Sequence, residues 1–286
     1  MYRIVYKKQL NPTVVMMDIE APLVAKKALA GQFIILRVDE EGERIPLTIA
    51  GYDRDAGTVR IIFQIVGATT KKLGARVEGE FIEDFAGPLG LPTELEGLSD
   101  VCIVGGGVGC AIALPIAQAL KERGARVSSI IGFRSADLVI LEEEFTAASD
   151  ELIVMTDDGS YGREGNVCVP LNELLAERKF DKVITIGPLM MMKFVVEAVR
   201  PTGIPCDVSM NPIMIDGTGM CGGCRLTLNI DGKRVTKFAC VDGPDFNGYQ
   251  VDFDEAILRG AAYRSFERHA YESACNLLKK GESDNG

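Results

Sequence analysis

The chain holds a single histidine, His269, in 286 residues, and that scarcity removes several chemistries at once. A Rieske centre needs two histidines on one iron. A His-rich catalytic zinc site has no ligands to draw on, and a Ser-His-Asp triad would rest on one residue far from any nucleophile-elbow motif. His269 stands in a charged helical context and reads as a surface residue. Basic runs are missing too: 31 Lys and Arg stand against 41 Asp and Glu, for a formal charge of −10 and a pI near 4.8. That balance excludes nucleic acid and anionic membranes as partners, because their phosphates attract Lys and Arg. The opening MYRIVYKKQLN carries no apolar h-region, so the expected setting is cytoplasmic. There, clustered cysteines serve as metal ligands more readily than as disulfides.

What is present is a globular composition, 47% hydrophobic and 25% charged, in a length that normally divides into about two domains. The uncharged run VCIVGGGVGCAIALPIAQAL is long enough to cross a bilayer, but its glycines and Pro115 make it a strand, turn and helix of a soluble fold. Residues 1–97 read as an antiparallel β-barrel: YRIVYKKQL, TVVMMDIEAP, GQFIILRVD, RIPLTIAGYD, TVRIIFQIV and GEFIEDFAGPLG are short apolar or alternating runs between Gly, Pro, Asn and Asp. One short helix, ATTKKLGAR, interrupts them. After the Pro/Gly/acidic linker LPTELEGLSD, residues 98–205 alternate strand and helix, each strand a continuous apolar run. That is the pattern of a parallel sheet covered on both faces, an α/β nucleotide-binding layout. Residues 206–253 turn irregular and carry a cysteine loop, with a hairpin RLTLNIDGKRVTKF closed by the type I′ pair Asp231 and Gly232. Residues 254–286 form an amphipathic helix and a tail, with Ile257, Leu258, Ala261, Phe266 and Leu278 as core or partner-facing positions.

Three stretches carry candidate chemistry. Gly105, Gly106, Gly107, Val108 and Gly109 follow a strand and open a helix, where glycines let backbone N–H groups and the positive helix end meet a pyrophosphate. At the end of the next strand stands Arg134 rather than an acid, which by pocket chemistry leans toward NADP. Asp157 and Asp158 follow the third strand, at a carboxyl end where ligands sit in open α/β sheets. In the barrel, Arg44 and Thr48 flank a proline-stiffened strand. Gly67, Thr69 and Thr70 open a helix behind Gln64 and Val66, and both places offer phosphate or ring contacts to a flavin.

The third stretch is DGTGMCGGCRLTLNI. Cys221 and Cys224 are spaced as in a plant-type [2Fe–2S] loop, Cys240 follows in KFACVDGP, and Asp216 holds the place of the remaining cysteine. Thiolates select zinc, Cu(I) or iron–sulfur centres, and a structural zinc site on three cysteines and one aspartate is the rival, a missing second Cys-x-x-Cys counting against it. Cys102, Cys110, Cys168 and Cys275 lie in apolar or helical contexts and read as small core residues.

The order of barrel, nucleotide fold and C-terminal [2Fe–2S] loop resembles the ferredoxin reductase-like family, in its dihydroorotate dehydrogenase electron-transfer subunit branch. IPLTIA, GPLG, GGGVGCAIA, GFR, TDDGSYG, IGP with the Met run behind it, SMNPIMIDGTGMCGGCR and FACVDGP carry the likeness over nearly the whole chain. The resemblance implies FAD on Pro46, Leu47 and Thr48, with Arg44 one residue earlier than the family's arginine, and on the phosphate loop Gly67, Thr69 and Thr70. It implies NAD(H) on Gly105 to Gly109, Gly132, Phe133, Arg134, Asp157, Asp158 and Gly187, against the NADP lean of Arg134. The electron-bifurcating reductase members are similar in having aspartate at position 216, which implies a cluster held by Asp216, Cys221, Cys224 and Cys240. The implied function is electron transfer between NAD(H), FAD and a [2Fe–2S] cluster in a ferredoxin:NAD(P) oxidoreductase, with no catalytic acid or base. The implied partners are a larger flavin and iron–sulfur subunit using NADP(H), with ferredoxin reached through the complex. An electron-transfer subunit of dihydroorotate dehydrogenase and a zinc-binding nucleotide sensor are the alternatives.

Overall fold

The computed structural model describes residues 1–262 together with Tyr271. His269, Phe266, Cys275 and Leu278, assigned above to surface or core, lie outside the described residues. The barrel is built from β1 (Tyr2–Gln9), β2 (Val14–Glu20), β3 (Phe33–Arg37), β4 (Arg44–Asp53), β5 (Thr58–Gln64), β6 (Phe81–Ile82) and β7 (Asp84–Leu89), with helices α1 (Pro22–Ala25) and α2 (Ala68–Ala75). Its seven strands run β6-β1-β2-β5-β4-β3-β7, every neighbouring pair antiparallel. Alternation decides which side chains enter. Val15, Met17 and Ile19 of β2 meet Val59, Ile61 and Phe63 of β5 in a sealed interior, and Met16 and Ile62 face the other way.

The second domain comprises β8 (Asp100–Gly106), α3 (Gly109–Glu122), β9 (Arg126–Phe133), α4 (Glu142–Ala148), β10 (Glu151–Thr156), β11 (Arg163–Glu164), α5 (Cys168–Glu177), β12 (Lys182–Ile186), α6 (Leu189–Val199) and β13 (Cys206–Ser209). The segment after it holds the hairpin β14 (Arg225–Ile230) and β15 (Lys233–Phe238), then α7 (Ala239–Asp242), β16 (Asp245–Asn247) and α8 (Phe253–Ala261). The sheet order is β11-β10-β9-β8-β12-β13-β16, parallel except for β16. The order reverses between β8 and β12, which opens a crevice at their carboxyl ends. The run once long enough for a membrane is β8 and α3, and among the described residues no helix is long and apolar enough to cross one.

Two differences from the sequence reading matter. Cys206–Ser209 is a sixth parallel strand, not irregular chain, and it recruits β16 from about forty residues downstream as an antiparallel edge. Leu258 of α8, read as a core or partner-facing position, is exposed and not part of the core. The hairpin turn is as expected, with Asp231 and Gly232 at φ 50° and 75°.

Three cores join the parts. One fills the barrel. A second runs from Val14, Met16, Ala50 and Ile62 on the barrel's outside to α3 and α4. The third unites Phe33 and Ile35 of the barrel with α5, α6, β13 and the buried Cys224, Leu226, Ala239 and Cys240. Burial on that scale, at roughly 25 cal/mol per Å² of apolar surface, fixes the barrel, the sheet and the cysteine segment against one another.

Candidate functional site

One cavity of about 850 Å³ opens between the barrel and the carboxyl ends of β8, β9 and β12. Its barrel wall is Phe33, Pro46, Thr48 and Gln64. Its sheet wall is Gly106 to Gly109, Gly132, Phe133, Arg134, Asp157 and Gly187. The cavity therefore collects most of the predicted nucleotide residues and the barrel strand predicted for a flavin.

The glycine turn shows why these residue types are needed. Gly107 has φ +55° and open space where a Cβ would stand, so the start of α3 is left uncovered for a ligand. Gly109 and Gly106 do a different job. A Cβ on Gly109 would fall 2.5 Å from the Ile186 carbonyl oxygen, and one on Gly106 would fall on the Met191 thioether. Gly105 lies inside the sheet against Cys110 and does not line the cavity.

Other predicted residues stand apart. Leu47 packs on the barrel interior, and Arg44 is exposed at the start of β4, opposite Arg37. Val66, Gly67, Thr69 and Thr70 form a separate site at the start of α2. Thr70 Oγ1 accepts from the amides of Val66 and Gly67 at 3.0 Å each, and Thr69 donates to Glu43 at 3.3 Å. A Cβ on Gly67 would meet nothing within 4 Å, which leaves that helix start open to an anion. Asp158 lies beside the cavity, its carboxylate bound by the Ser160 hydroxyl and amide, which hold it below the usual carboxylate range.

The structure adds residues the sequence reading did not single out: Asn11 and Thr13 from the β1–β2 turn, Phe33, Met191 and Phe194 of α6, and Ser209 and Met210 after β13. Asn11 also ties the two domains, its Nδ2 donating to the Leu138 carbonyl at 3.2 Å. Cys168 is half-buried at the start of α5, where it packs against the core and also lines the cavity, unlike the fully buried Cys102 and Cys110. Its context, NVCVP, is apolar, but the helix start turns it toward the opening.

The cysteine loop sits against the barrel. A Cβ on Gly217, at φ +72°, would lie 2.7 Å from Leu89 and 2.9 Å from Ile35, so only glycine lets the loop come this close. Cys224 and Cys240 are buried with their sulfurs 3.2 Å apart. Burial and the Cys224 thiol push Cys240 up to about 12, while the Gly219 amide works the other way and the Asp216 charge is near enough to be felt. Asp216 accepts from the Thr218 and Cys221 amides at 2.9 and 2.7 Å, which hold its carboxylate below the usual range. Cys221 is exposed, its sulfur 3.4 Å from the Gly223 amide. Among the described residues no three such side chains converge as a finished metal cage. The donor set nevertheless fits a cluster: two thiols already paired, a third thiol and a carboxylate on the same glycine-rich loop, and amides aimed at sulfur. Cys206 is buried in β13 and takes no part.

An antiparallel barrel and a parallel nucleotide domain sharing one cavity, with a thiol loop seated on the barrel, define a ferredoxin reductase-like flavoprotein fold with an added iron–sulfur segment. Residues 211–252 match the iron–sulfur cluster binding domain of dihydroorotate dehydrogenase B. The chain is 48% identical to a dihydroorotate dehydrogenase B (NAD(+)) electron transfer subunit homolog of Thermotoga maritima, over 93% of this chain and 92% of the relative. It is 33% identical to the dihydroorotate dehydrogenase B (NAD(+)) electron transfer subunit of Streptococcus pneumoniae, over 85% and 94%. Among solved structures, one of the NADH-dependent reduced ferredoxin-NADP oxidoreductase, studied for flavin-based electron bifurcation, superimposes with a TM-score of 0.89 at 44% identity over 96% of this chain and 97% of that one. The chain belongs to the family of dihydroorotate dehydrogenase B electron transfer subunits.

Proposed function

We propose that this chain is the flavin and iron–sulfur electron-transfer subunit of an electron-bifurcating ferredoxin:NAD(P) oxidoreductase, working between NAD(H), FAD and a [2Fe–2S] cluster. The observation that carries the reading is the shared cavity together with the cysteine loop pressed onto the same barrel, at Leu89 and Ile35, through Gly217. The likeness to the NADH-dependent reduced ferredoxin-NADP oxidoreductase over almost the full length supports the choice of complex. When bound, a flavin links a two-electron hydride donor to one-electron carriers. The protein's part is to bind and orient. Pro46 and Thr48 present the barrel strand to the ring, and the start of α2 at Gly67, Thr69 and Thr70 takes the flavin's phosphates. Gly106 to Gly109 take the nicotinamide nucleotide on the start of α3, with Gly132, Phe133, Arg134, Asp157 and Gly187 around it. Asp216, Cys221, Cys224 and Cys240 hold the cluster. Passing electrons through a flavin and a cluster asks for no acid or base at a bond being broken in the protein's own site. The nucleotide is NAD(H), as in the names of both relatives, and Arg134 serves a phosphate common to both nucleotides.

The partner is a larger flavin and iron–sulfur subunit using NADP(H), with ferredoxin reached through the complex. The chain works in the cytoplasm, where clustered cysteines such as Cys221, Cys224 and Cys240 serve as metal ligands more readily than as disulfides. An anaerobic absorption spectrum with flavin, iron and sulfide assays tests the proposal: yellow-brown protein bleached by NADH is expected, and colourless, iron-free protein would end it. The 33% identity to a named dihydroorotate dehydrogenase subunit favours a second reading. A dihydroorotate dehydrogenase catalytic subunit co-purifying with the chain would establish that reading and displace the first.

A further inference from the structure

The cavity has a carboxyl group beside it that the reading above leaves unused. β16 runs antiparallel to β13 and sets Asp245 opposite Ser209. Ser209 is buried and lines the cavity, as do Met210 next to it and Pro244 next to Asp245. The Asp245 carboxyl, whose partner directly across the strand pair, on the same face of the sheet, is Ser209, accepts from the Thr93 hydroxyl at 2.5 Å. Its Oδ1 is buried and has no partner among the described residues. The charged groups facing it are Asp207 and Lys182, which pair with each other at 2.8 Å, so the lysine's charge is already matched. Burial accordingly holds this carboxyl above the ordinary range for aspartate. A buried carboxyl with one open oxygen, set across the strand pair from a cavity-lining serine whose hydroxyl can accept and donate together, has the parts of a proton relay.

We infer that Asp245 is the proton-exchanging group of the cavity, receiving through Ser209 the proton left behind when the two electrons of a hydride depart singly. The inference rests on the proposed electron-transfer function. NADH gives up a hydride, one proton with two electrons, and becomes NAD+. An iron–sulfur centre accepts one electron at a time and no proton, so each hydride passed on leaves one proton to be removed. That proton binds the Ser209 oxygen while the Ser209 hydroxyl proton moves to the Asp245 carboxylate. It then leaves on the Thr93 side, beyond which Glu94 and Glu96 of the linker are exposed. Two electrons go to the one-electron chain and one proton to solvent, so the step balances.

The test is anaerobic stopped flow on the purified holo-protein, reduced with NADH and then mixed with ferricyanide as one-electron acceptor. Flavin absorbance and a pH-indicator dye are followed together. In the parent, reoxidation and proton release share a rate that depends on pH and slows in deuterated water. Asp245→Asn keeps the shape of the side chain and slows that phase by roughly 10²-fold, the ordinary worth of a positioned acid or base, with loss of its pH dependence. Ser209→Ala slows it too, and keeps the idea testable if the first variant fails to fold. Thr93→Val leaves the carrier in place but removes a hydrogen bond to its charged form, so the pH midpoint moves upward. An infrared carboxylic-acid band in the parent, missing in Asp245→Asn, reports the group directly. Parent-like rates, isotope effect and pH profile in Asp245→Asn would overturn the inference. Failure of the functional reading looks different: NADH would not bleach the parent at all.

Discussion

Alanine at Gly107 and at Gly109 separates the two duties of the glycine turn. At Gly109 the new Cβ would lie 2.5 Å from the Ile186 carbonyl oxygen, 2.9 Å from its carbon and 2.8 Å from the Gly187 Cα. All three are backbone atoms of the β12 end, with no rotamer by which to retreat. Relief must come from moving α3 off β12, and overpacking of this kind costs about 1–3 kcal/mol. At Gly107 there is nothing to strike, but φ is +55°, and a left-handed residue with a Cβ costs roughly 1–2 kcal/mol. Both variants therefore lose stability, at about 2–4 °C of melting temperature per kcal/mol for chains approaching this size. They part company in binding. Gly107→Ala also fills the open space over α3, so it weakens NADH beyond what its stability loss predicts, whereas Gly109→Ala acts by displacing the helix. Adding ligand sorts them: saturating NADH raises the melting point of Gly109→Ala toward the parent and that of Gly107→Ala much less. Thermal melts with and without NADH, read beside a fluorescence titration, provide the measurement. A Gly109→Ala protein melting with the parent would refute the close-packing argument, and unchanged NADH affinity in Gly107→Ala would refute the assignment of the uncovered helix start.

Cys240→Ser removes the buried partner of Cys224, and iron and acid-labile sulfide assays should fall to background while flavin content holds, because the barrel site shares no residue with the loop. Asp216→Cys keeps a [2Fe–2S] centre but lowers its potential, since a fourth thiolate donates more charge than a carboxylate; EPR-monitored redox titration reads the shift, and equal potentials would remove Asp216 from the ligand set. Asp150 is held low by Lys121 and the Val127 amide, and Asp181 by the Asp100 and Ser99 amides. Both are depressed carboxylates, so their contribution is complete above the unfolded value near 4 and is lost as pH falls through the folded values. Asp150→Asn and Asp181→Asn should each flatten the acid limb of a stability curve measured by urea unfolding between pH 6 and 3, values chosen to span that range.

The barrel and most of the sheet were legible because local patterns decide them. Alternation fixes β2 and β5 in sequence as in space, and the continuous apolar runs of β8, β9 and β12 announce strands covered on both faces. β13 was not legible. It is four residues long, and its edge partner β16 comes from a segment that reads as loop, so only the pairing of distant chain makes either a strand. The site divides the same way. The glycine turn and the cysteine loop are contiguous and carry their chemistry in their spacing. Asn11 and Thr13, Phe194, and Ser209 come from three separate segments, which only packing brings to one cavity. Cys168 takes both roles for the same reason, packing on the core while lining the cavity.

Asp216 shows how position and chemistry combine in the loop. Its two oxygens already accept the Thr218 and Cys221 amides, which at first sight argues against a metal ligand. A carboxylate, however, has about four lone-pair sites, and two amide bonds leave the others free to face the sulfurs. Those amides also close the turn that carries Thr218 to Cys221, with Gly217 and Gly219 at positive φ allowing it. A cysteine there would have one sulfur to do both tasks, and sulfur is a weak acceptor. The aspartate thus orders the loop through its hydrogen bonds, and in the proposed ligand set it would offer an oxygen as well. Its carboxylate is held ionised by the same two amides, so it needs no proton removed to serve, unlike Cys240, whose thiol must lose one. On the proposed ligand set, Asp216 and the exposed Cys221 would be the entry side of the site, and the buried Cys224 and Cys240 its floor.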